Sequence, residues 1–371
     1  MATEEKKQEK DYPNYIGKTN DIKKELENLR KNDNLKFVDL YKREYEYVSD
    51  FNRDKTIATV NIMQFNMLAD GLSGIHVNEN SKDEASKNKT FVNVPKECLN
   101  FSYRGFRILE EITRNEPDII CLEECDQFEF LDHYLSPLGY KGEFNAKSSS
   151  PCVKIAKANN ISLKSDGVAI FYSKEKFKIK DIKRFGKKVE NIEDVDIPAI
   201  KILFTDTPSN KDFIVIVGHL KSTKNIDGEC IRLGQLQHLL PSIKPKNNDI
   251  PIFFACDLNT NNNENYSTVY NSIAFPAKID DNDKNKPLLP KEYISGYNNL
   301  GLSSAYFKSK IANSKESEEN KEPLFTTYKK RKGGEFKHCI DYIFFQPKYA
   351  TNKKVECVRL LSIPESKDIN K

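Results

Sequence analysis

Short runs of apolar residues alternate along the chain with segments in which apolar residues recur at helical spacing. Each run is apolar at successive positions, so both faces of the predicted strand should be covered by other layers. These runs predict buried strands at 59–68, 118–124, 168–172, 213–220, 251–259 and 340–345.

Three apolar stripes between these runs predict amphipathic helices. Their apolar residues are, in order, Phe101, Ile108, Leu109 and Ile112; Phe128, Leu131 and Leu135; and Leu233, Leu236 and Leu240. The first helix should end near Pro117, because the residue before a proline disfavours the helical conformation. Gly139 is well placed to end the second helix.

Helices outside many buried strands indicate a layered α/β protein. The strand-rich second half of the chain favours a four-layer α/β/β/α sandwich over a doubly wound nucleotide-binding sheet. The glycine-rich patterns GxGxxG and GxxxxGK[ST], which cradle phosphates in dinucleotide-binding and P-loop proteins, are both absent from the sequence. We therefore expect the four-layer sandwich.

The chain divides into a charged N-terminal extension, residues 1–55, and one larger domain, residues 56–371. In the extension, Ile22, Leu26 and Leu29 lie at helical spacing, which indicates a short amphipathic helix, with a solvated tail as the alternative. Segments rich in Lys, Asn, Ser and Glu predict surface insertions near 78–95, 276–297 and 307–322.

The charge composition narrows the range of partners. Lysine and arginine total 59 and aspartate and glutamate 55, a net charge of +4, so no general attraction to duplex DNA is expected. The sequence has neither an apolar signal core nor a membrane-spanning apolar run, which predicts no membrane partner and a cytoplasmic location. A nuclear or mitochondrial pool is the alternative, and we expect a monomer.

Eight cysteines occur without CxxC pairs. Cys121, Cys256 and Cys339 lie inside apolar runs, which favours reduced thiols in the core over disulfides or a structural zinc site.

Polar residues end four of the predicted strands, where open sheets place their ligand sites. They are Asn66, Glu124, His219 and, at the end of the fifth predicted strand, Asp257 with Asn259. One such residue is usually only a cap or a turn residue. Four strands that share the feature favour a common site.

Alternation along a strand places Glu124 on the same face as Ile120 and Leu122, and Asp257 on the same face as Asn259. A carboxylate beside apolar neighbours needs a cation, a hydrogen-bond network or solvent, because an unpaired buried charge is costly. Carboxylate and amide oxygens suit a hard divalent cation such as Mg²⁺. The pattern therefore predicts a magnesium site at this rim.

Five short motifs then identify a resemblance: QFN at 64–66, LEE at 122–124, GHLK at 218–221, CDLN at 256–259 and IDY at 340–342. In this order they resemble the endonuclease/exonuclease/phosphatase superfamily, its deadenylase-like branch and, within that branch, the nocturnin family. Near counterparts of FNMLAD, GYKGEFNAKSSSPC, SDGVAIFY and FTTYKKRKGGEFKHCIDYIFF occur there too. The resemblance implies the four-layer sandwich and a metal-dependent phosphoric ester hydrolase.

Carried over residue by residue, the resemblance implies that Glu124, with Asn66 beside it, holds Mg²⁺, with Mn²⁺ as the alternative ion. Asp257 would position or deprotonate the attacking water, and Asn66 would also belong to the catalytic set. His219 and Asn259 would donate to phosphoryl oxygens. Such groups suit phosphoryl transfer, in which charge stabilisation and in-line positioning dominate catalysis.

The resemblance also implies a set of substrate-binding residues. Lys147 and Lys221 would face the substrate phosphates, a role that an ammonium group fills as a point charge. Asp166 would shape the pocket, and His338 would contact the substrate.

Two departures from the family pattern concern Asp341 and Thr223. The family closes with a Ser-Asp-His run whose histidine pairs with the aspartate matched by Asp341, yet no histidine follows Asp341 here. We expect a C-terminally incomplete chain that lacks the last strand of the sandwich, with a truncated and impaired enzyme as the alternative. Thr223, followed by Lys224, stands where the nocturnin family has an arginine, and lysine does not replace a bidentate phosphate clamp.

Three functions remain open at this point. The leading hypothesis is a hydrolase that removes the 2′-phosphate of NADP(H). The second is a 3′-exonuclease that shortens poly(A) RNA, which would need an open groove and stacking surfaces for bases. The third is a module that binds an adenine nucleotide or RNA without turnover.

Overall fold

Two β-sheets stack face to face in the computed structural model of the protein. The structure describes residues 19–31, 39–48, 57–76, 91–92, 94–186, 197–243, 250–260, 268–273, 302–308, 322–332, 334–349 and 353–364. The predicted insertion at 276–297 lies outside these ranges, as do residues 78–90 and 309–321 of the other two predicted insertions.

The strands are β1 (Tyr45–Tyr47), β2 (Ile62–Asn66), β3 (Ile119–Glu123), β4 (Tyr140–Ala146), β5 (Gly167–Ser173), β6 (Phe177–Phe185), β7 (Ala199–Asp206), β8 (Lys211–His219), β9 (Ile252–Asp257), β10 (Ser303–Ser304), β11 (Thr327–Arg331), β12 (Gly334–His338), β13 (Asp341–Phe345), β14 (Lys348–Tyr349), β15 (Lys353–Lys354) and β16 (Arg359–Leu361). The helices are α1 (Thr19–Arg30), α2 (Lys96–Leu99), α3 (Phe101–Asn115), α4 (Phe128–Leu135), α5 (Pro151–Asn159), α6 (Ile226–Ile243) and α7 (Thr268–Ile273). The predicted core strands and helices are all present, with bounds that shift by a few residues.

One sheet has the strand order β2-β3-β5-β4, and the other has the order β10-β13-β9-β8-β7-β6. Strands β2 and β3 run parallel, as do β8 and β9, whereas β13 runs antiparallel to β9. The carboxyl ends of β2, β3, β8 and β9 and the amino end of β13 therefore meet at one rim of the stacked sheets.

Three apolar clusters separate the layers. Residues of one parity, such as Cys121, Ile170 and Val217, pack between the two sheets. Residues of the other parity face outward, where helices α3 and α4 cover the four-stranded sheet and α6 and α7 cover the six-stranded sheet. The structure thus confirms the predicted four-layer α/β/β/α sandwich.

Helix α1 packs on α3, and its Ile22 and Leu26 side chains are buried in the cluster on that side of the four-stranded sheet. Strand β1 pairs with β16 near the other end of the chain, with Tyr45 opposite Leu361. Both elements lie in the segment assigned from sequence to an N-terminal extension, so the described part of that segment contributes to the packed fold rather than forming a solvated tail.

Two negative predictions can be compared with the structure. All eight cysteines are free thiols, and Cys121, Cys256 and Cys339 are buried in the core as predicted. None of the helices in the described ranges combines the length and the apolar character needed to cross a bilayer.

A buried carboxyl group, Glu322, predicts a pH-dependent stability. Its Oε1 accepts a hydrogen bond from the Tyr270 hydroxyl at 2.6 Å, and its Oε2 accepts one from Ser304 Oγ at 3.0 Å. Burial raises the pKa of Glu322 from 4.5 to about 7. The folded state therefore keeps a proton that the unfolded state has lost, and stability falls as pH rises from about 4.5 through 7.

Replacing Glu322 by glutamine should remove this loss, because an amide stays neutral at every pH and, like a protonated carboxyl, has a donor group on one atom and an acceptor oxygen on the other. Between pH 5 and pH 8 we expect Glu322→Gln to gain about 2–3 kcal/mol in free energy of unfolding relative to the wild type. Urea denaturation at the two pH values measures the gain. Glu175→Gln, at an exposed position, is the control, and an equal pH response of the two variants would contradict the assignment.

Candidate active site

Six polar side chains meet at the rim where the strand ends of the two sheets face each other. The strand register places His219 beside Asp257, and Asp257 beside Asp341, across β8, β9 and β13. These three residues have the parity of the inter-sheet face. Asn66, Glu123 and Glu124 come from the facing four-stranded sheet, where Asn66 is the register partner of Glu123.

Asn66 connects the two sheets through one amide nitrogen. Its Nδ2 donates to Asp257 Oδ2 at 2.9 Å and to Glu124 Oε1 at 3.2 Å. Its Oδ1 accepts a hydrogen bond from the backbone N–H of Leu68 at 3.0 Å. An amide oxygen has a second lone pair that this hydrogen bond leaves available, so the role of Asn66 as a metal ligand stays a prediction. The two bonds of Nδ2 hold Glu124 beside Asp257.

Glu124 reaches the rim by leaving its strand. Strand β3 ends at Glu123, and Glu124 has a φ of 52°, in the left-handed region that non-glycine residues rarely adopt. The prediction that Glu124 projects with Ile120 and Leu122 is wrong, because those two side chains pack against the helices whereas the Glu124 carboxylate turns to Asn66. The backbone strain is thus located at the acidic residue that the sequence singled out for metal binding.

Arg104 on α3 holds the loop that carries the other contact of Glu124. Its Nη1 donates to the carbonyl oxygens of Met67 at 3.0 Å and Leu68 at 2.8 Å. The next residue, Ala69, donates its N–H to Glu124 Oε2 at 3.2 Å. Both oxygens of Glu124 are therefore oriented, one by Asn66 and one by a loop that Arg104 fixes.

Glu123, Gln64 and Thr326 belong to the site but were not predicted as site residues. Gln64 Nε2 donates to Glu123 Oε2 at 2.8 Å and to Asp341 Oδ1 at 3.2 Å. The Thr326 hydroxyl donates to Asp341 Oδ2 at 2.7 Å, and its oxygen accepts the N–H groups of Ile340 and Asp341. Asp341 is thereby held through both oxygens by neutral donors.

A sequence signal for Glu123 existed. Strand parity places Glu123 with Cys121 on the inter-sheet face, where it is fully buried. Burial, reinforced by the charges of Asp341 and Asp257, raises its pKa well above the ordinary value. Burial and the neighbouring negative charges thus favour the protonated form of Glu123 beneath the rim.

His219 lies between Lys147 and Asp257. Lys147 Nζ lies 2.6 Å from Asp166 Oδ2 and 3.3 Å from His219 Nδ1, and His219 Nε2 lies 3.8 Å from Asp257 Oδ2. Burial lowers the pKa of His219 well below its ordinary value, and the positive charges of Lys147 and Lys329 lower it further. The imidazole is therefore neutral. Because the Lys147 ammonium donates to Nδ1, the imidazole proton resides on Nε2 and points to the Asp257 side.

Asp166 and Ser150 complete the support of Lys147. Ser150 Oγ donates to Asp166 Oδ1 at 2.5 Å, so the buried Asp166 carboxylate is bound on both oxygens. The structure therefore brings together Lys147, Asp166 and His219, which the sequence assigned to substrate binding and catalysis. Here Asp166 acts on Lys147.

Replacing Lys147 by methionine should lower the rate of the reaction at this site. The change removes the donor that fixes the His219 tautomer and a charge that lowers the pKa of His219. We expect an activity loss of about 10- to 100-fold, the usual effect of losing an outer partner of an active-site ligand, and a higher pKa for the His219 ring. Steady-state rates and NMR titration of the ring measure the two effects.

The matched control is Lys164→Met, since Lys164 pairs with Glu129 at an exposed position. An unchanged His219 titration in Lys147→Met would show that Lys147 does not set the charge state of the ring.

Asp257 and Asn259 form a tight turn at the end of β9. Asp257 Oδ1 accepts the backbone N–H of Asn259 at 2.9 Å, and Asn259 Nδ2 donates to the carbonyl oxygen of Leu220 at 2.9 Å. Asn259 also has a left-handed φ of 52°, so the predicted shared face with Asp257 is lost. Its side chain is placed beside the segment that follows His219.

The remaining predicted residues, Lys221 and His338, lie on exposed or half-buried surface near the rim. Lys224 Nζ lies 2.8 Å from His338 Nε2, and its ammonium lies over the Phe336 ring at 5.8 Å. His338 and Phe336 both belong to β12, which pairs with β11 in a hairpin. The hairpin therefore places aromatic and cationic side chains beside the site.

Strand β11 also carries two cations that the sequence reasoning missed. The charge of Lys329 lowers the pKa of Asp341 and of His219, although burial remains the larger influence on both. Burial lowers the pKa of Arg331, the charge of Glu124 raises it, and the Arg331 guanidinium lies 4.7 Å from the centre of the Phe91 ring. Lys329 and Arg331 alternate along β11 with Tyr328 and Lys330, so they share one face of the strand. This spacing is the sequence signal that could have identified them.

The chain is similar in sequence to nocturnin proteins. No protein-family model matches the chain. Nocturnin of Drosophila melanogaster is 28% identical over 324 residues, which cover 84% of this chain and 43% of that protein. Nocturnin of Homo sapiens is 29% identical over 300 residues, which cover 79% of this chain and 57% of that protein. The chain thus spans about half the length of the curated relatives that it matches.

Solved structures share the fold. The human nocturnin catalytic domain with a bound sulfate anion has a TM-score of 0.54 at 22% identity, covering 87% of this chain and 98% of that chain. ANGEL2, a 2′,3′-cyclic phosphatase in complex with adenosine-2′,3′-vanadate, has a TM-score of 0.59 at 20% identity, covering 89% of this chain and 92% of that chain.

The similarity to nocturnin extends over most of the chain and coincides with the fold of the nocturnin catalytic domain. These similarities support an assignment to the endonuclease/exonuclease/phosphatase superfamily, on its nocturnin-like branch. This assignment confirms the resemblance that the five motifs predicted, including its nocturnin-like, deadenylase-related branch. The five motifs lie at the rim of the sandwich, with Asn66, Glu124, His219, Asp257 and Asp341 in one cluster.

The rim has a donor set that fits a hard divalent cation. Burial raises the pKa of both Asp257 and Asp341, and the charge of Asp341 raises the pKa of Asp257 further. A cation would relieve this mutual repulsion. Within the described ranges no group of three or more His, Cys, Asp or Glu side chains is arranged to hold a metal by itself. Water and substrate oxygens would complete the shell, as is usual for Mg²⁺.

Proposed function

We propose that the protein is a Mg²⁺-dependent phosphoester hydrolase whose reaction takes place at the rim between β3, β8 and β9. The observation that carries the proposal is the Asn66 amide nitrogen, which donates to both Glu124 and Asp257 from opposite sheets. Glu124 would hold the cation, with Asp257 beside it. When bound, Mg²⁺ supplies charge neutralisation for the phosphoryl oxygens.

The residues of the chain supply the remaining chemistry. Asp257 is oriented by Asn66 on one oxygen and by the N–H of Asn259 on the other. In its ionised form it accepts a proton from the attacking water. His219, neutral and with its proton on Nε2, donates a hydrogen bond to a phosphoryl oxygen. Preorganised donors of this kind stabilise the charge that develops in the transition state.

The substrate that we propose is NADP(H), from which the enzyme removes the 2′-phosphate. Lys147 beside His219 and the exposed Lys221 provide positive charge for the substrate phosphates. Phe336 and His338, whose rings stack at a centroid distance of 6.4 Å, provide a flat surface for an aromatic ring of the dinucleotide. The homology to nocturnin supports this branch over other superfamily activities.

Phosphate release from NADPH by the purified full chain with Mg²⁺ tests this substrate. We expect release from NADPH, none from NADH, and no release from either in the presence of a chelator. Glu124→Gln should lower the rate of release by about 10²–10³-fold, whereas the exposed control Glu175→Gln should retain it. Absence of phosphate release from NADPH by the wild type would contradict the substrate assignment.

The alternative substrate is poly(A) RNA, which the aromatic and cationic hairpin β11–β12 could also contact. Incubation of a labelled adenosine oligomer with the same proteins distinguishes the two. Shortening of the oligomer that Glu124→Gln abolishes, together with no release from NADPH, would assign the site to 3′-exonucleolytic cleavage. Binding of either substrate without turnover would favour a non-catalytic binding module.

A further inference from the structure

Residues 220–224, here called loop 220–224, follow His219 and carry two exposed lysines, Lys221 and Lys224. The loop has no regular secondary structure. Its backbone polar groups must therefore be bound by other parts of the protein if the lysines are to hold a fixed position.

Buried side chains from α6 bind the middle of the loop. Arg232 is only 2% exposed, and its Nη1 donates to the carbonyl oxygens of Lys221 at 2.9 Å and Thr223 at 2.7 Å. Gln235, one turn further along α6, accepts the backbone N–H of Lys221 on its Oε1 at 2.9 Å. Lys221 thus has both of its backbone polar groups bound by α6.

Arg232 is itself held in place by Glu229. The Glu229 Oε2 accepts hydrogen bonds from Arg232 Nε at 3.0 Å and Nη2 at 2.8 Å, and both side chains are buried. The other oxygen, Oε1, accepts the N–H of Val269 at 2.9 Å. This leaves Arg232 Nη1 directed at the loop.

The start of the loop and its contact with the first turn of α6 are also tightly packed. The N–H of Leu220 donates to the carbonyl oxygen of Asp257 at 3.0 Å, and its own carbonyl accepts Asn259 Nδ2. A side chain at Gly228 would place its Cβ 2.0 Å from the Thr223 carbonyl oxygen. The loop is therefore packed against α6 with no room for an intervening side chain.

We propose that Arg232 and Gln235, with Glu229 behind them, are positioning residues that fix Lys221 where it meets a substrate phosphate. The inference rests on the proposed phosphoester hydrolase and names a specificity determinant of that site. Neither residue is exposed enough to bind the substrate itself, so both act through the backbone of loop 220–224. Their effect should therefore depend on the Lys221 side chain.

A double-mutant cycle tests this dependence, with KM and kcat for phosphate release from NADPH as readouts. Gln235→Met removes the acceptor for the Lys221 N–H at nearly constant side-chain volume. We expect its KM to rise about tenfold, the size of effect common for coupled neighbours, while kcat changes little because ground-state and transition-state binding are lost together. In a Lys221→Ala background the same change should raise KM no further.

Three further variants make the cycle interpretable. Gln235→Glu keeps an acceptor oxygen and should retain a nearly normal KM, whereas Gln237→Met places the same substitution at a half-buried position of α6 and should leave both constants unchanged. Arg232→Met should reproduce the KM effect more strongly, and a fall in its thermal stability alone would not mimic the dependence on Lys221. Equal KM increases with and without Lys221 would overturn the proposal.

Binding of inorganic phosphate, measured by calorimetry without turnover, separates this proposal from the proposed function. If the wild type fails to hydrolyse NADPH, the substrate assignment has failed, but weaker phosphate binding in Gln235→Met that disappears in the Lys221→Ala background still supports the positioning role. Unchanged phosphate binding in Gln235→Met, or no phosphate binding by the wild type, would overturn it.

Discussion

Asp257→Asn lowers the rate of phosphoester hydrolysis by about 10²–10⁴-fold, the usual effect of losing a catalytic acid-base group. An asparagine can still accept from Asn66 or from the N–H of Asn259, so the turn at the end of β9 should survive. The asparagine side chain carries no charge and takes no proton from water at neutral pH. We therefore expect a large loss in kcat with a small change in KM.

Initial rates at several NADPH concentrations measure this effect, with circular dichroism as the check on folding. Asp181→Asn is the matched control, because Asp181 is an exposed residue on β6, an edge strand of the six-stranded sheet. A folded Asp257→Asn protein with near wild-type kcat would show that Asp257 does not act on the water.

Glu124→Gln has the second large effect and changes the response to Mg²⁺. The amide removes the charge that would hold the cation, and Asn66 and Ala69 lose the carboxylate to which they donate. We expect a rate loss of about 10²–10³-fold, comparable with removal of a preorganised charge-stabilising group. The Mg²⁺ concentration for half-maximal rate should rise by about tenfold or more.

A titration of the rate with Mg²⁺ separates this effect from a general loss of structure. Glu175→Gln serves as the control, because Glu175 is an exposed glutamate in the turn between β5 and β6, at the end of β5 away from Asp166. An unaltered Mg²⁺ midpoint in Glu124→Gln would remove Glu124 from the metal site.

The sequence predicted the rim because strand ends are visible as polar residues after apolar runs. Asn66, His219 and Asp257 follow this rule, and in the structure they share the parity of the apolar residues between the sheets. Glu124 follows an apolar run, as the rule requires, but its side chain does not point to the same face as Ile120 and Leu122. Its backbone is left-handed and its carboxylate contacts Asn66 and Ala69. These contacts are tertiary, so the local sequence spacing does not reveal them.

For the same reason, the residues that hold the site residues in place could not be predicted from the sequence pattern. Arg104 is 36 residues from Leu68, whose carbonyl it binds, and Gln64 is 277 residues from Asp341. Arg232 lies on a helix in which apolar spacing accounts for the core but not for a buried arginine. Hydrogen bonds between distant segments depend on the packed sheets, and the sequence shows only the two partners separately.

The most direct test of the metal-centred account is the anomalous scattering of Mn²⁺ in crystals of the full chain. The account predicts a Mn²⁺ peak beside the carboxylate of Glu124, on the side of Asn66 and Asp257, that is absent in crystals of Glu124→Gln. A Mn²⁺ peak bound elsewhere, or no peak at this rim in crystals of protein that hydrolyses its substrate, would contradict it.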